Sequence, residues 1–164
     1  MLTEPTVVTK AAQPYAAMIL TLSQPEIAQT APPLIGKVIE WVKGQGGELA
    51  GPPYFNYFNF LPGGKMQMQV GMPTATVMQG DDMVTTGLLP AGRYAAITHT
   101  GPYHELYEAN MALDKWARGQ GFAFAGTELP DRYEDATRLE IYHKDPGEDP
   151  SGFPVTEVAF RLKD

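Results

Sequence analysis

Hydrophobic and polar residues alternate along several short stretches of this chain and follow helical spacing along two others. Residues 6–9 and 15–22 run apolar or alternate as strands do, and Tyr15-Ala16-Ala17-Met18-Ile19-Leu20 is the clearest of them. Gln24 to Thr30 is short and polar. Pro32-Pro33 opens a predicted helix, where a fixed φ suits the first turn. Leu34, Val38, Trp41 and Val42 then share one face, and Gly44 to Gly47 ends the helix. An aromatic strand, Tyr54-Phe55-Asn56-Tyr57-Phe58, follows, then a Pro62-Gly63-Gly64 turn and the strand Lys65 to Val70.

The second half repeats this order. A strand is predicted from about Gly92 to Thr100, and a helix from about Tyr103 to Gly119 with Leu106, Asn110, Leu113 and Trp116-Ala117 on one stripe. Phe122-Ala123-Phe124, Arg138 to Tyr142 and Val155 to Leu162 read as strands. Asp131 to Asp135 reads as a polar connection, and Asp145 to Pro150 as a solvated surface loop. The linker lies near Gly80 to Pro90, where Met83 to Leu89 is a further candidate strand.

The repetition extends to residue types. Tyr15-Ala16-Ala17 returns as Tyr94-Ala95-Ala96, 79 positions on, and Trp41 to Gly46 returns as Trp116 to Gly121, 75 positions on. Gln69-Val70 aligns with Glu140-Ile141 at 71, so each of two connections loses four residues. Two similar supersecondary units, about 6–75 and 84–164, are therefore expected to pack as a single domain over 1–164 with a cleft between them.

Strand parity suggests which side chains enter the cleft. Met66, Met68 and Val70 share one face, and Gln67 and Gln69 the other. Leu139 and Ile141 likewise oppose Arg138, Glu140 and Tyr142. With the apolar faces under the helices, the polar faces look away from them toward a groove, with Gln69 and Glu140 at matching positions. Glu140 is then the leading candidate, either as a general base raised by desolvation or as counter-charge to a cation. The alternative is a solvent-facing strand residue paired with Arg138 or a cross-strand neighbour. Tyr57, Tyr103 and Tyr142, with Phe55, are the aromatic candidates, offering flat faces that attract cations and planar ligands.

Composition narrows the classes. With 164 residues, 43% hydrophobic and 19% charged, the chain suits one globular domain. The absence of cysteine excludes disulfides and thiolate metal sites. His99, His104 and His143 show no ligand spacing, and Ser23 and Ser151 lie in no nucleophile elbow, so neither metal nor other cofactor is expected. A net charge of −7 argues against direct nucleic-acid binding and favours cationic or electron-poor small molecules. No secretory signal and no apolar stretch of membrane-spanning length is seen, so the expectation is a cytoplasmic monomer or weak homodimer.

Leu89-Pro90-Ala91-Gly92-Arg93-Tyr94-Ala95, His99-Thr100-Gly101-Pro102-Tyr103, Leu113-Asp114-Lys115-Trp116, Arg138 to Tyr142, Asp145-Pro146 and Thr156-Glu157-Val158 together resemble the GyrI-like small-molecule-binding family. Tyr57 with Val70-Gly71-Met72-Pro73 matches in the first half. The resemblance implies an α+β fold: two β-α-β-β modules related by a pseudo-twofold axis, one antiparallel-rich sheet, helices on one face and a ligand groove between the modules. It also implies an aromatic groove with a central glutamate, which maps onto Glu140. Members of that family serve as effector-binding domains of transcription activators, as multidrug sensors, as gyrase inhibitors, or as hydrolases of cyclopropane-bearing alkylating compounds. The family's usual Tyr-His is Tyr57-Phe58 here. The leading expectation is a stand-alone binder of hydrophobic, planar or cationic compounds. The alternatives are a cyclopropanoid hydrolase, with Glu140 as base and Tyr103 or Tyr57 as hydrogen-bond donor, and a protein-interaction role.

Overall fold

The strand pattern around Tyr15 lies inside β2 (Gln13–Ser23), near the far end of one curled antiparallel sheet. The computed structural model describes residues 1–164. The first half supplies β1 (Thr6–Lys10), β2, helices α1 (Gln24–Thr30) and α2 (Pro32–Gly44), β3 (Tyr54–Phe60) and β4 (Lys65–Pro73). The second supplies β5 (Thr85–Leu89), β6 (Gly92–Thr100), α3 (Leu106–Gly119), the short β7 (Thr127–Glu128) and β8 (Tyr133–Glu134), β9 (Arg138–Lys144) and β10 (Val155–Arg161).

The sheet order is β1-β6-β10-β9-β3-β4-β2-β5, with the β7–β8 hairpin appended to β3. Read from its centre outward, this order is a palindrome. β9 and β3 meet in the middle, β10 matches β4, β6 matches β2, and the edge strands are exchanged. β1 pairs with β6 of the other half, while β5 pairs with β2. Each module is thereby tied to its mate at three places, the two exchanged edges and the β3–β9 seam.

Helices α2 and α3 pack on the same face. Val38 and Val42 bury against Ala16, Met72 and Val84. Leu106, Ala109, Leu113 and Ala117, one apolar stripe of α3, bury against Ala95, Ile97, Val158 and Phe160. Each valine or leucine fully buried here contributes about 1.5–3 kcal/mol. The opposite face holds its own core of Tyr54, Leu89, Tyr94, Ala96, Leu139 and Ala159.

Five expectations are corrected. Gln24 to Thr30 is the helix α1, entered through Ser23-Gln24-Pro25-Glu26, where the Ser23 N–H donates to the Glu26 carboxylate at 3.0 Å. Phe122 to Phe124 makes only an isolated bridge, Phe124 to Leu162, and the polar connection after it folds into β7 and β8. Leu139 and Ile141 lie on the face away from the helices, so Glu140 points toward them. The 71-residue alignment of Gln69 with Glu140 also fails. In the palindrome β9 corresponds to β3 and β10 to β4, so Glu140 matches Phe55, 85 positions earlier, and Gln69 matches Glu157, 88 positions later. The second half has gained residues before β9, where the β7–β8 hairpin is inserted, rather than lost them.

Candidate functional site

A cavity of about 690 Å³ opens on the helical face between α1 and the start of α2 on one side and α3 on the other. That volume is within the usual range for small-molecule sites. Its floor is the β3–β9 seam, where Phe55 and Glu140 are directly opposite. Tyr57 and Tyr142, each two residues further along its strand, complete the central floor. Tyr103 and Tyr107 border it from the α3 side, and Ile27 and Ile35 from the other.

Glu140 is only 6% exposed. Its Oε1 accepts hydrogen bonds from the Tyr57 hydroxyl at 2.9 Å and the Tyr142 hydroxyl at 2.8 Å. Its Oε2 accepts one from the Asn110 amide at 2.9 Å. No ion pair of the molecule includes Glu140. Its partners are therefore neutral dipoles. Burial, reinforced by the Glu140 charge, pushes both phenols well above the usual tyrosine value and keeps them as donors.

The one arginine on the cavity wall is committed elsewhere. Arg138 Nη1 lies 3.2 Å from Asp114 Oδ2, and its guanidinium lies 4.5 and 4.7 Å from the ring centroids of Phe160 and Phe124. Burial draws it below the usual guanidinium range, and Asp114 opposes that shift.

Phe55, Tyr57, Tyr103, Glu140 and Tyr142 thus surround one space. Gln69 does not join them. It is 8% exposed on the opposite face, where its carbonyl accepts from Asn56 at 3.3 Å and its amide donates to the Tyr15 hydroxyl at 3.2 Å. Asn110, expected only as a member of the α3 stripe, contacts Glu140 directly. Its signal was available, since it is the polar position within the α3 stripe. Asp145, expected in a solvated loop, lines the cavity.

A curled antiparallel sheet whose helices flank a polar-floored apolar cavity defines a small-molecule-binding α+β domain. The chain belongs to the GyrI-like small molecule binding domain family, whose model matches residues 3–163. No curated protein matches it significantly. Among solved structures, the EcmrR C-terminal domain is similar with a TM-score of 0.75 at 17% identity, covering 98% of each chain. In the EcmrR–DNA complex the same likeness spans 57% of the longer EcmrR chain. SAV2435 bound to tetraphenylphosphonium matches with a TM-score of 0.61 at 17% identity, over 98% of this chain and 94% of that one. A hydrolase from Listeria innocua matches with a TM-score of 0.56 at 12% identity, over 98% and 92%. No helix is long and apolar enough to cross a membrane.

Proposed function

We propose that this chain binds lipophilic cations in the cavity above Glu140, with that carboxylate as the counter-charge. One observation carries the reading: a carboxylate 6% exposed, held by three neutral donors and paired with no cation. Burying such a charge costs several kcal/mol, and hydrogen bonds recover only part of that. A ligand cation lowered onto the floor supplies the missing charge, while Phe55, Tyr57 and Tyr142 offer it aromatic surface. The tetraphenylphosphonium held by SAV2435, a relative in fold, supports the same ligand chemistry.

Titration calorimetry with tetraphenylphosphonium tests it. Binding by the wild type is expected, with a neutral triphenyl compound of similar size binding more weakly. Glu140→Gln should weaken the cation at least tenfold while leaving the neutral compound unaffected. Equal cation affinity in the two proteins would sink the reading.

A hydrolytic reading has its own support. Tyr103 is 44% exposed at the cavity wall, edge-on to Tyr142 at 6.0 Å, so a phenol borders the space above Glu140 without being committed to that carboxylate. Glu140 would take a proton from water as its oxygen attacks a strained cyclopropane carbon. The ring bond would open, its electron pair passing to a conjugated carbonyl that accepts a hydrogen bond from Tyr103. Tyr57 is less suited, because its hydroxyl is engaged by Glu140. Incubation with a cyclopropane-bearing alkylator and mass analysis for a gain of water decides it. Glu140→Gln should then lose turnover by orders of magnitude and keep the neutral substrate bound. No conversion by the wild type removes this reading.

A further inference from the structure

The cavity floor is built twice. Pro53, Phe55, Tyr57 and Phe60 stand 85 positions before Arg138, Glu140, Tyr142 and Asp145, and all eight line the cavity. The first set carries no charge, and the second carries three charged groups. Tyrosine is kept at one pair of positions. At two others, phenylalanine in the first half stands where the second has a carboxylate.

The backbone explains why Asp145 belongs to the floor. A bulge interrupts β3 at Phe58 and β9 at His143, the same place in each half. One unmatched residue inverts the alternation beyond it. Asn59 and Lys144 therefore turn to the far face, and Phe60 and Asp145 return to the cavity side. Lys144 pairs with Asp149 at 2.9 Å, and Asp145 takes part in no ion pair.

The charge inventory of the wall is short. Arg138 is occupied by Asp114, which also holds Arg118 at 2.7 Å. His104 lines the wall and makes no ion pair. Glu140 and Asp145 are left as two carboxylates without cations, one at the centre of the floor and one at its end. Tyr103 and Tyr142, edge to face at 6.0 Å, lie at that end. Burial, then Asp145 and Glu148, hold the Tyr103 hydroxyl above its usual value, a sign of negative charge gathered there.

The geometry points to an elongated lipophilic dication as the ligand class, one cationic centre seated on Glu140 and the second on Asp145 beside Tyr103 and Tyr142. Five steps of extended chain, shortened by the bulge, set the two centres about 15 Å apart. The inference rests on the cation-binding reading and adds the second centre. Asp145 is exposed, so its contribution is modest and screened by salt, about fivefold in affinity.

The test compares an N-alkylpyridinium with bis-pyridinium alkanes of graded length, by calorimetry at low and high salt. The wild type should prefer the dication of matching span about fivefold, most strongly at low salt. Asp145→Asn should remove that preference and leave the monocation unchanged, and Asp145→Lys should reverse it. Glu140→Gln should weaken both ligands. A monocation that binds with no dication preference, or a preference that survives Asp145→Asn, overturns the second centre alone. If neither ligand binds the wild type, the underlying reading falls and this inference with it.

Discussion

Tyr57 and Tyr142 occupy equivalent positions in the two halves, and both hydroxyls donate to the same oxygen, Glu140 Oε1, at 2.9 and 2.8 Å. The pseudo-twofold axis passes between Glu140 and Phe55, so a phenylalanine stands where exact symmetry would place a second glutamate. A symmetric pair of donors thus serves an asymmetric charge.

That arrangement predicts coupled effects on stability. Tyr57→Phe and Tyr142→Phe should each destabilise the ligand-free protein by about 1.5–3 kcal/mol, the range for hydrogen bonds to a charged group. Because both act on one oxygen, the double variant should depart from the sum. Urea denaturation monitored by circular dichroism provides the measurement, and strict additivity would count against a common acceptor.

At alkaline pH, the buried phenols set a limit. Burial raises Tyr54, Tyr57 and Tyr142 well above the ordinary tyrosine value of 10.0. A raised folded value means stability that is full below pH 10 and lost as pH climbs beyond it. Phenolate absorbance from these residues should appear together with loss of ellipticity. Its appearance in a still-folded protein would contradict their burial.

On the acid side Glu157 acts in the opposite sense. Burial pushes its carboxyl up, but hydrogen bonds and charge from His143 and Lys10 outweigh that and hold it at about 2, against 4.5 in the open chain. Stability from this group is present above about pH 4.5 and drains away as pH falls toward 2. Glu157→Gln should therefore be less stable than wild type at neutral pH and show a flatter decline between those values. Thermal melts across that range measure it.

The core on the face away from the helices is tightly packed around Tyr54. A methyl group added at Gly71 would overlap the ring of Tyr54, which is 1% exposed and has no room to withdraw. Gly71→Ala should cost about 1–3 kcal/mol, as overpacking does. Gly119→Ala, where nothing lies near the added carbon, is the control and should be neutral or mildly stabilising.

Much of the architecture was legible along the chain because it is locally encoded. The apolar stripe Leu106, Leu113 and Ala117 specifies α3, and Pro32-Pro33 with Val38 and Val42 specifies α2. The aromatic run at Tyr54 and the alternation at Lys65 specify β3 and β4. Glu140 and its tyrosines could be singled out because a carboxylate and phenols in apolar strands call for a reason. What failed was the matching of strands and the choice of face for β9. Gln69-Val70 and Glu140-Ile141 look alike as short strings, yet hydrogen-bonded register, a non-local property, pairs β9 with β3 instead.

The amino-acid sequence by itself determined the two-module plan, the helices and strands, and the chemical types available to a site, since periodicity and turn chemistry act over a few residues. Only the tertiary structure decided which sheet face each strand turns to the helices, and hence that Glu140 meets Asn110 while Gln69 meets Asn56 and Tyr15. It also decided, through one bulged residue at His143, that Asp145 rather than Lys144 borders the cavity. A strand has two faces of nearly equal local energy. The choice between them is made by what the rest of the chain brings against each.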